Sequence, residues 1–213
     1  MYVPTHFAAG ADDIIRLLEN HGAADLVTAT TDGLLATFLP FVFDPSVGEN
    51  GALLGHVARN NDQWRHPPIG PPAAAAMVIV RGPDAYISPS WYASKAEHGR
   101  VVPTWNYVTA HVYGSLVIHD DPVWVDALVR RLTQRHESGL ERRPWTPDDA
   151  PARYIQGQLR AIVGIEVVIS RIEAKLKLSQ NRPAADIDGV IAGLQQRGQG
   201  EVATAVTDAR PQT

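Results

Sequence analysis

Apolar residues recur along the chain with two different periods. Between residues 11 and 21 they recur three and four positions apart behind acidic residues, which predicts an amphipathic helix with its acidic side chains at the positive end. From residue 25 the pattern becomes that of strands. β-rich runs on either side of Asp32-Gly33 predict a hairpin with strands at about 25–31 and 34–43.

Strand-like runs continue through the middle of the chain. They occupy residues 52–58, 73–82, 84–88, 104–119 and 161–173. Gly82-Pro83 predicts a break between the second and third of these runs, and Gly114 predicts a bend or bulge inside the longest one. The proline-rich segment 67–72 predicts a surface loop, and residues 59–65 predict a short helical or turn segment.

Helical patterns follow the strands. Asp121 offers an N-cap before Pro122, and apolar residues then continue at helical spacing to about His136. Shorter helices are predicted at 150–160 and 186–197. Strands in series before alternating helices favour a mainly β, α+β protein, an antiparallel barrel with peripheral helices, over a doubly wound parallel sheet.

The domain organisation follows from this order of elements. No repeat or linker signal interrupts the chain, so we predict one barrel domain over residues 1–183. A C-terminal helix at 184–200 is expected to pack on it. The polar residues 201–213 predict a flexible tail.

The composition narrows the class of protein. A formal net charge of -4 means that any nucleic-acid contact needs a local basic patch. The lack of cysteine excludes disulfides, thiolate metal sites and cysteine nucleophiles. No apolar run approaches the roughly 18 residues of a membrane span, and acidic residues stand where a signal peptide would be basic. We therefore predict a cytoplasmic protein with no membrane contact.

Generic catalytic motifs are absent from the sequence. It contains no GxGxxG after a strand, no GxxxxGK[ST], no HExxH and no GxSxG. None of the eight histidines stands with a carboxylate at a familiar metal-ligand spacing. We predict no metal site, and no residue is predicted to be catalytic.

The densest group of polar and aromatic residues lies at 86–107. Its candidate binding residues are Ser88, Ser90, Trp91, Lys95, Trp105 and Asn106. A phosphorylated aromatic cofactor requires hydroxyl donors and a cation for its phosphate, a flat apolar wall for its ring and an amide for the ring edge. The alternative is that the two tryptophans are core or interface residues and the serines only turn the chain.

Two further polar clusters lie elsewhere in the chain. The segment at 55–64 contains His56, Arg59 and Asn61, and the segment at 175–182 contains Lys177 and Gln180. For the first, the alternative is a capped helix start; for the second, it is a solvated strand end.

All three clusters match, in order, segments of a known family. The segments MYVPTHF, ATFLPF, GHVARNNDQW, AYISPSWY, VPTWNYVTAHVYG, IVGIEV and KLSQNRP resemble those of the PaiB-like FMN-binding proteins. That family is described as negative transcriptional regulators and is similar to the pyridoxamine-phosphate-oxidase-like split barrels. The resemblance covers about residues 1–197.

The resemblance implies a fold, a cofactor and an assembly. It implies a six-stranded split barrel, a homodimer and FMN bound across the dimer interface. Residues 37–42, with Thr37 and Leu39 as candidates, would face the flavin ring, whereas His56, Arg59 and Asn61 would lie near its ribityl or phosphate end. Further contacts would come from Ser88, Ser90, Trp91 and Lys95 and, from the partner subunit, from Trp105, Asn106, Lys177 and Gln180.

This sequence departs from the family pattern in three places. Phe38 stands where relatives carry histidine before Leu-Pro, and Asp62 stands where they usually carry proline. A carboxylate near a phosphate is repulsive, so Asp62 disfavours phosphate binding by that loop. A longer insertion at 93–101, inside the densest cluster, is expected to alter a lid.

Two classes of function fit the sequence. The first is an FMN-binding negative transcriptional regulator that contacts DNA directly or acts indirectly; the basic runs at 130–135 and 141–143 are the nearest candidates for DNA contact, or else a solvated helix face. The second is a flavin-dependent oxidoreductase acting on a small molecule, in which the flavin supplies the redox chemistry. Haem or deazaflavin remains a further possible ligand.

Overall fold

The computed structural model describes residues 1–66, 75–140 and 142–211, so the predicted loop at 67–72 lies outside the described residues. The strands are β1 (Ala23–Thr30), β2 (Gly33–Asp44), β3 (Ala52–Ala58), β4 (Ala75–Ile87), β5 (Thr104–His119) and β6 (Ile162–Lys177). The α-helices are α1 (Ala11–Asn20), α2 (Ser94–His98), α3 (Pro122–Glu137), α4 (Ala152–Arg160), α5 (Ala184–Gln196) and α6 (Gly200–Asp208). Of the described helices, none is both long and apolar enough to cross a membrane.

The six strands close into a barrel. They are hydrogen-bonded in the order β1-β2-β3-β6-β5-β4, and β4 pairs antiparallel with β1. The β1–β2 hairpin places Thr30 opposite Gly33, which has a φ of 119° that favours glycine. The predicted hairpin at Asp32-Gly33 is confirmed, as is the six-stranded antiparallel sheet of an α+β protein.

The predicted strand break at Gly82-Pro83 is wrong. Strand β4 runs without interruption from Ala75 to Ile87. A Cβ on Gly82 would lie 2.9 Å from Val108 Cβ, so glycine here admits a close neighbour. Proline is compatible with a strand wherever its missing N–H is not needed for the ladder.

Gly114 lies inside the uninterrupted strand β5. A Cβ at this position would fall closer than 3.0 Å to the Val168 backbone carbonyl and to Val167 Cγ1. The glycine therefore permits a close approach of backbone from β6.

The chain divides into two compact units. Unit 1 consists of residues 1–17, 81–110 and 173–213, and unit 2 consists of residues 18–80 and 111–172. The predicted limits 1–183 and 184–200 do not coincide with these units, because residues far apart in sequence pack together in each.

Unit 2 contains the barrel core and helix α3. Leu54 and Ala52 on one face of β3 pack against Leu128 and Leu132 of α3. The helix begins where the sequence predicts: the Asp121 carboxylate accepts the Val123 backbone N–H at 3.0 Å, and Pro122 occupies the first turn.

Unit 1 has its own core, to which the C-terminal helices contribute. Ile187, Val190 and Leu194 of α5 and Val202 and Val206 of α6 are buried in one cluster. The prediction of a flexible tail from residue 201 is wrong for the residues of α6. Its apolar positions recur at helical spacing and are buried, which compensates for the polar character of the segment.

Candidate functional site

The predicted site residues divide between the two units. Unit 2 holds Thr37, Leu39, His56, Arg59 and Asn61. Unit 1 holds Ser88, Ser90, Trp91, Lys95, Trp105, Asn106, Lys177 and Gln180. The two groups differ in how far their polar atoms are already bonded.

In unit 2 a buried glutamine joins Thr37 to Asn61. The Thr37 hydroxyl donates to Gln63 Oε1 at 2.5 Å and accepts from Asn61 Nδ2 at 2.9 Å. Asn61 Oδ1 accepts the Gln63 backbone N–H at 2.8 Å and so caps the short turn Asp62–Trp64. Thr37 and Asn61 therefore use much of their hydrogen-bonding capacity within the fold. Nothing in the residue type of Gln63 signals its burial.

Arg59 is likewise bonded within unit 2. Its guanidinium donates to both carboxylate oxygens of Asp120, at 3.0 and 2.5 Å. It also donates to the carbonyls of Arg160 and Ile162, at 2.7 and 3.2 Å. The bond from Arg59 lowers the pKa of Asp120. Most of the N–H donors of Arg59 are thus in use, which leaves little for the predicted phosphate contact.

Leu39 and His56 point to opposite sides of the barrel wall. Leu39 is 4% exposed and packs at Gly55, in the barrel interior. His56 follows Gly55 directly and therefore lies on the other face of β3, the face on which Leu54 meets α3. Burial lowers the pKa of His56, so the ring carries no charge toward a phosphate at neutral pH.

A second histidine in unit 2, His21, is buried and neutral. Its Nδ1 lies 2.6 Å from the Leu18 carbonyl oxygen, and its Nε2 is buried with no hydrogen-bond partner among the residues that the structure describes. Burial lowers the pKa of His21, and the charges of Arg135 and His136 lower it further. Protonation at Nε2 would create a buried charge with no acceptor.

The His21 site predicts acid sensitivity of the fold. An unfolded chain binds a proton at His21 below about pH 6.5, whereas the folded chain resists it, so stability is lost as the pH falls through that value. We expect the melting temperature to fall between pH 7.5 and 5.0, and to fall less in His21→Asn, whose amide can still donate to Leu18. An equal slope in both proteins would contradict this assignment.

In unit 1 the segment Ser88–Lys95 presents exposed donors. Ser88 Oγ accepts the Ser90 backbone N–H at 3.2 Å, and Lys95 Nζ donates to Ser90 Oγ at 3.1 Å. Ser90 and Lys95 are exposed. An ammonium has three N–H donors, so Lys95 keeps donors for an anion.

Trp105 forms an exposed aromatic surface in the same unit. Trp105 is 49% exposed, and its indole N–H donates to Asp84 Oδ1 at 2.7 Å. The Tyr86 ring meets the Trp105 ring edge-on, with centroids 6.2 Å apart. An indole fixed in this way offers a flat face to a ligand. Neither Asp84 nor Tyr86 is among the site residues predicted from the sequence, although Tyr86 is the first residue of the 86–107 cluster.

Lys177 lies beside this surface. Its ammonium donates to the Thr104 hydroxyl and, at 2.8 Å, to the Trp105 carbonyl. Burial lowers the pKa of Lys177, and the charges of Lys175 and Arg182 lower it further. One of the three ammonium N–H donors remains for another acceptor.

Asn106 is 1% exposed and only partly bonded. Its Nδ2 donates to Ser179 Oγ at 2.9 Å, while its Oδ1 is buried without a partner in the described residues. A buried acceptor without a donor is costly, so this atom marks a place where an N–H group is missing.

Two predicted residues of unit 1 have structural bonds or contacts. Gln180 accepts the Leu178 backbone N–H and donates to the Leu176 carbonyl, across a turn in which Ser179 has a φ of 69°. Trp91 packs against helix α5 at Gly193. The packing alternative that the sequence left open therefore describes Trp91 better than Trp105.

The arginines of the first basic run are bonded internally. Arg130 is paired with Asp126 and Asp148, and Arg131 with Asp44 at 2.7 Å. Arg135 donates to the carbonyls of Phe41, Glu19 and His21. In the second run, Arg143 donates to Asp149 at 3.0 Å, and Glu141 lies outside the described residues. These side chains bind α3 and the loop after it to other parts of unit 2.

No metal centre is visible in the parts of the chain that the structure describes. Residues 1–66, 75–140 and 142–211 contain no group of three or more histidine and carboxylate side chains arranged to hold a metal ion. His119 pairs with Glu166 at 2.6 Å, and Trp124 is stacked on its imidazole, but two such side chains alone do not form a metal site.

Comparison with known proteins identifies sequence relatives along most of the chain. Residues 1–171 match the family model described as "Putative FMN-binding domain". The chain is 32% identical to protease synthase and sporulation protein PAI 2 of Bacillus subtilis, over 92% of this chain and 89% of that protein. It is 30% identical to an uncharacterized protein of Emericella nidulans, over 91% and 89% of the two chains.

Solved structures share the fold at low sequence identity. A conserved hypothetical protein of Mycobacterium tuberculosis matches with a TM-score of 0.57 at 12% identity, over 86% of this chain and 94% of that chain. A flavocytochrome of Azotobacter vinelandii matches with a TM-score of 0.55 at 13% identity, over 82% and 72% of the chains. These structures show the fold alone. The family match over residues 1–171 and the 32% identity to the Bacillus subtilis protein show that the chain belongs to the PaiB-like FMN-binding family that its motifs indicate.

Proposed function

We propose that the protein binds FMN at the surface of unit 1 formed by Trp105, Tyr86 and Lys177. The observation that carries the proposal is an exposed indole fixed by Asp84 beside an ammonium with an unused N–H donor. A flavin ring presents a flat face for the indole and carbonyl oxygens for the ammonium.

Other polar groups of unit 1 fit the phosphate of FMN. The buried Asn106 Oδ1 also lacks a donor among the described residues, but it lies on the face of β5 opposite Trp105 and is not assigned to the ring. Ser88, Ser90 and Lys95 offer hydroxyl donors and a positive charge for the phosphate. FMN, rather than a flavin with a longer tail, is favoured by the description of the family.

The residues of unit 2 have a smaller part in this proposal. Thr37, Asn61 and Arg59 are already bonded, and His56 lies on the α3 side of β3. We therefore propose that the predicted residues of unit 1, rather than those of unit 2, make most of the contacts with FMN.

The proposal includes a homodimer formed through an apolar face of unit 2. Cross-strand pairs place one continuous set of side chains on the outer face of β2, β1 and β4. The members are Leu34, Ala36, Phe38, Ala29, Val27, Asp25, Met77 and Ile79. Leu34 is 76% and Phe38 70% exposed, and Asp25 is the one charged member. A monomer rarely exposes an apolar patch of this kind without using it.

We further propose that the FMN-bound dimer acts as a negative regulator without DNA contact through α3. The Bacillus subtilis relative is named for protease synthesis and sporulation, which fits a regulatory role. Free arginines are the usual means of phosphate contact, and those of the first basic run on α3 are bonded to carboxylates and carbonyls. Salt-sensitive binding of promoter DNA that is abolished by changes in α3 would contradict this part.

A flavin-dependent oxidoreductase is the second candidate, and Lys177 favours it. A positive charge beside a flavin ring stabilises the negative charge that the ring gains on reduction, and the flavin supplies the redox chemistry. Reoxidation of the flavin after reduction by NADH or NADPH, coupled to turnover of a small molecule, would establish this function. A bound flavin that neither nicotinamide reduces would disfavour it.

FMN titration of the apoprotein tests the binding proposal. We expect a flavin absorption spectrum, with FMN bound more tightly than FAD or haem. Lys177→Met should weaken FMN binding by about tenfold or more, because a charge-assisted hydrogen bond is lost. Lys175→Met is the matched control: it removes the same charge from the same strand and should change the Kd by less than about threefold. If the two substitutions changed the Kd for FMN equally, the effect of Lys177 would be one of long-range charge alone. If wild-type protein did not bind FMN, the proposed function would be refuted.

A further inference from the structure

Helix α5 holds the segment Ser88–Lys95 in a fixed conformation by three separate contacts. The first involves Trp91, whose backbone carbonyl lies over Gly189 and whose indole lies over Gly193. A Cβ at either glycine would come closer than 3.0 Å to Trp91 atoms. The glycines are four residues apart, so they occupy one face of the helix.

The second contact is made by a buried carboxylate. Asp186 is 1% exposed and lies three residues before Gly189, on the same face of α5. Its Oδ1 accepts the Ser94 backbone N–H and its Oδ2 accepts the Ser94 hydroxyl, both at 2.9 Å. Asp186 thereby fixes the start of α2.

The third contact involves Tyr92. Its ring is 3% exposed and lies in the same core cluster as Val190 and Leu194. The Arg182 guanidinium, just ahead of α5, lies 4.6 Å from the centre of the Tyr92 ring. Core packing and a cation–π contact together fix the middle of the segment.

Anchored and exposed residues are neighbours along the segment. Trp91, Tyr92 and Ser94 face α5 and the core, whereas Ser90 and Lys95 remain exposed. Each exposed donor is therefore adjacent in sequence to an anchored residue. A rigid support of this kind is what a preorganised anion site requires.

We infer that α5 positions an anion-binding site. Asp186, Gly189 and Gly193 hold Ser90 and Lys95 in the arrangement that receives the phosphate of the ligand. The three residues of α5 do not themselves contact the ligand. The inference rests on the proposed binding of FMN. It assigns to three residues outside every predicted site an effect on ligand affinity.

The central test compares one substitution at two helical glycines. Gly193→Ala should displace the Trp91 indole, whereas Gly157→Ala in α4 meets nothing closer than 4.0 Å and is the matched control. We expect Gly193→Ala to weaken FMN binding by about tenfold and to shift Trp91 fluorescence, measured as the difference from a Trp91→Phe background. Gly157→Ala should change neither. A shifted emission with an unchanged Kd for FMN would overturn the inference.

A second pair of variants guards against loss of folding in Gly193→Ala. Asp186→Ala removes both acceptors for Ser94, whereas Asp186→Asn keeps one acceptor and can donate to the Ser94 hydroxyl. We expect faster hydrogen exchange of the Ser94 amide and weaker FMN binding in Asp186→Ala, with partial recovery of both in Asp186→Asn. Equal binding by the two folded variants would overturn the inference.

Failure of the proposed function can be told apart from failure of the inference. If wild type does not bind FMN, the proposed function fails, and hydrogen exchange at Ser94 and Trp91 emission still report on the contacts with α5. Unchanged exchange and emission in the α5 variants would show that the helix does not hold the segment. If wild type binds FMN and the α5 variants bind it equally well, only the inference fails.

Discussion

Replacing Phe38 with aspartate is expected to dissociate the proposed homodimer into monomers. Phe38 lies on the apolar face of β2, β1 and β4 and is 70% exposed in the single chain. In a dimer with two-fold symmetry the substitution enters the interface twice. Each new carboxylate would also lie directly opposite Asp25 on β1, where like charges repel. We expect the dissociation constant of the dimer to rise by about a hundredfold or more.

Sedimentation velocity at several protein concentrations measures this effect. Val123→Asp provides the control, because Val123 is 77% exposed in the same unit but lies at the start of α3 and is not a member of the apolar face. Wild type and Val123→Asp should remain dimeric where Phe38→Asp is monomeric. A dimer that survives Phe38→Asp places the interface elsewhere, and a monomeric wild type removes the assembly from the proposal.

The same variant tests whether dimerisation and ligand binding are linked. The family resemblance implies FMN at the interface of two subunits, so monomers should bind FMN more weakly by mass action. In wild type, FMN should correspondingly stabilise the dimer, because coupling between two binding events is reciprocal. FMN binding that is equal in wild type and Phe38→Asp would mean that each subunit holds its flavin alone.

The elements predicted with success are those fixed by local chemistry. Asp121-Pro122 is a strong start signal because both residues act on the first turn of the helix they precede. The pair Asp32-Gly33 works for the same reason, since Gly33 supplies the left-handed conformation of the hairpin itself. Such signals need no knowledge of the rest of the fold.

The misjudged elements depend on contacts made far away in sequence. Gly82 reads as a break, but the structure uses it to admit Val108 from β5. The sequence of residues 201–208 predicts a polar tail, but Val202 and Val206 are buried in a core that includes residues of α5. In each case tertiary packing decides the outcome, and local propensity is only a weak prior.

The sequence predicts which types of residue the candidate site contains. It cannot predict which of their polar groups are already bonded to other parts of the chain. The composition of the 86–107 cluster points to Trp105 because a flat aromatic ring suits a phosphorylated aromatic cofactor, and the family resemblance points to Lys177; both lie together in unit 1. The sequence cannot show that Arg59 is already bonded to Asp120, 61 residues away. A hydrogen-bonding residue has the same sequence signature whether its partner is a ligand or another part of the chain.

Gln63 is the clearest example of a side chain whose partners belong to other parts of the same chain. Of the substitutions considered, we expect its replacement to cause the largest loss of stability. The side chain is 2% exposed and accepts from the Thr37 hydroxyl. Its Nε2 donates to the Leu26 carbonyl at 3.1 Å and to the Thr28 hydroxyl at 3.0 Å. One amide thus joins β1, β2 and the turn after β3.

Gln63→Ala should lower the free energy of unfolding by about 3 kcal/mol or more. The substitution leaves several buried polar groups without partners, at about 1–3 kcal/mol each, and opens a cavity that the barrel wall cannot fill. Urea unfolding measures the change, with Gln134→Ala on the exposed side of α3 as the control, for which we expect less than about 0.5 kcal/mol. If Gln63→Ala instead kept wild-type stability but lost FMN, the Thr37, Asn61 and Gln63 group would belong to the ligand site, and the weight we give to unit 1 would have to be shared with unit 2.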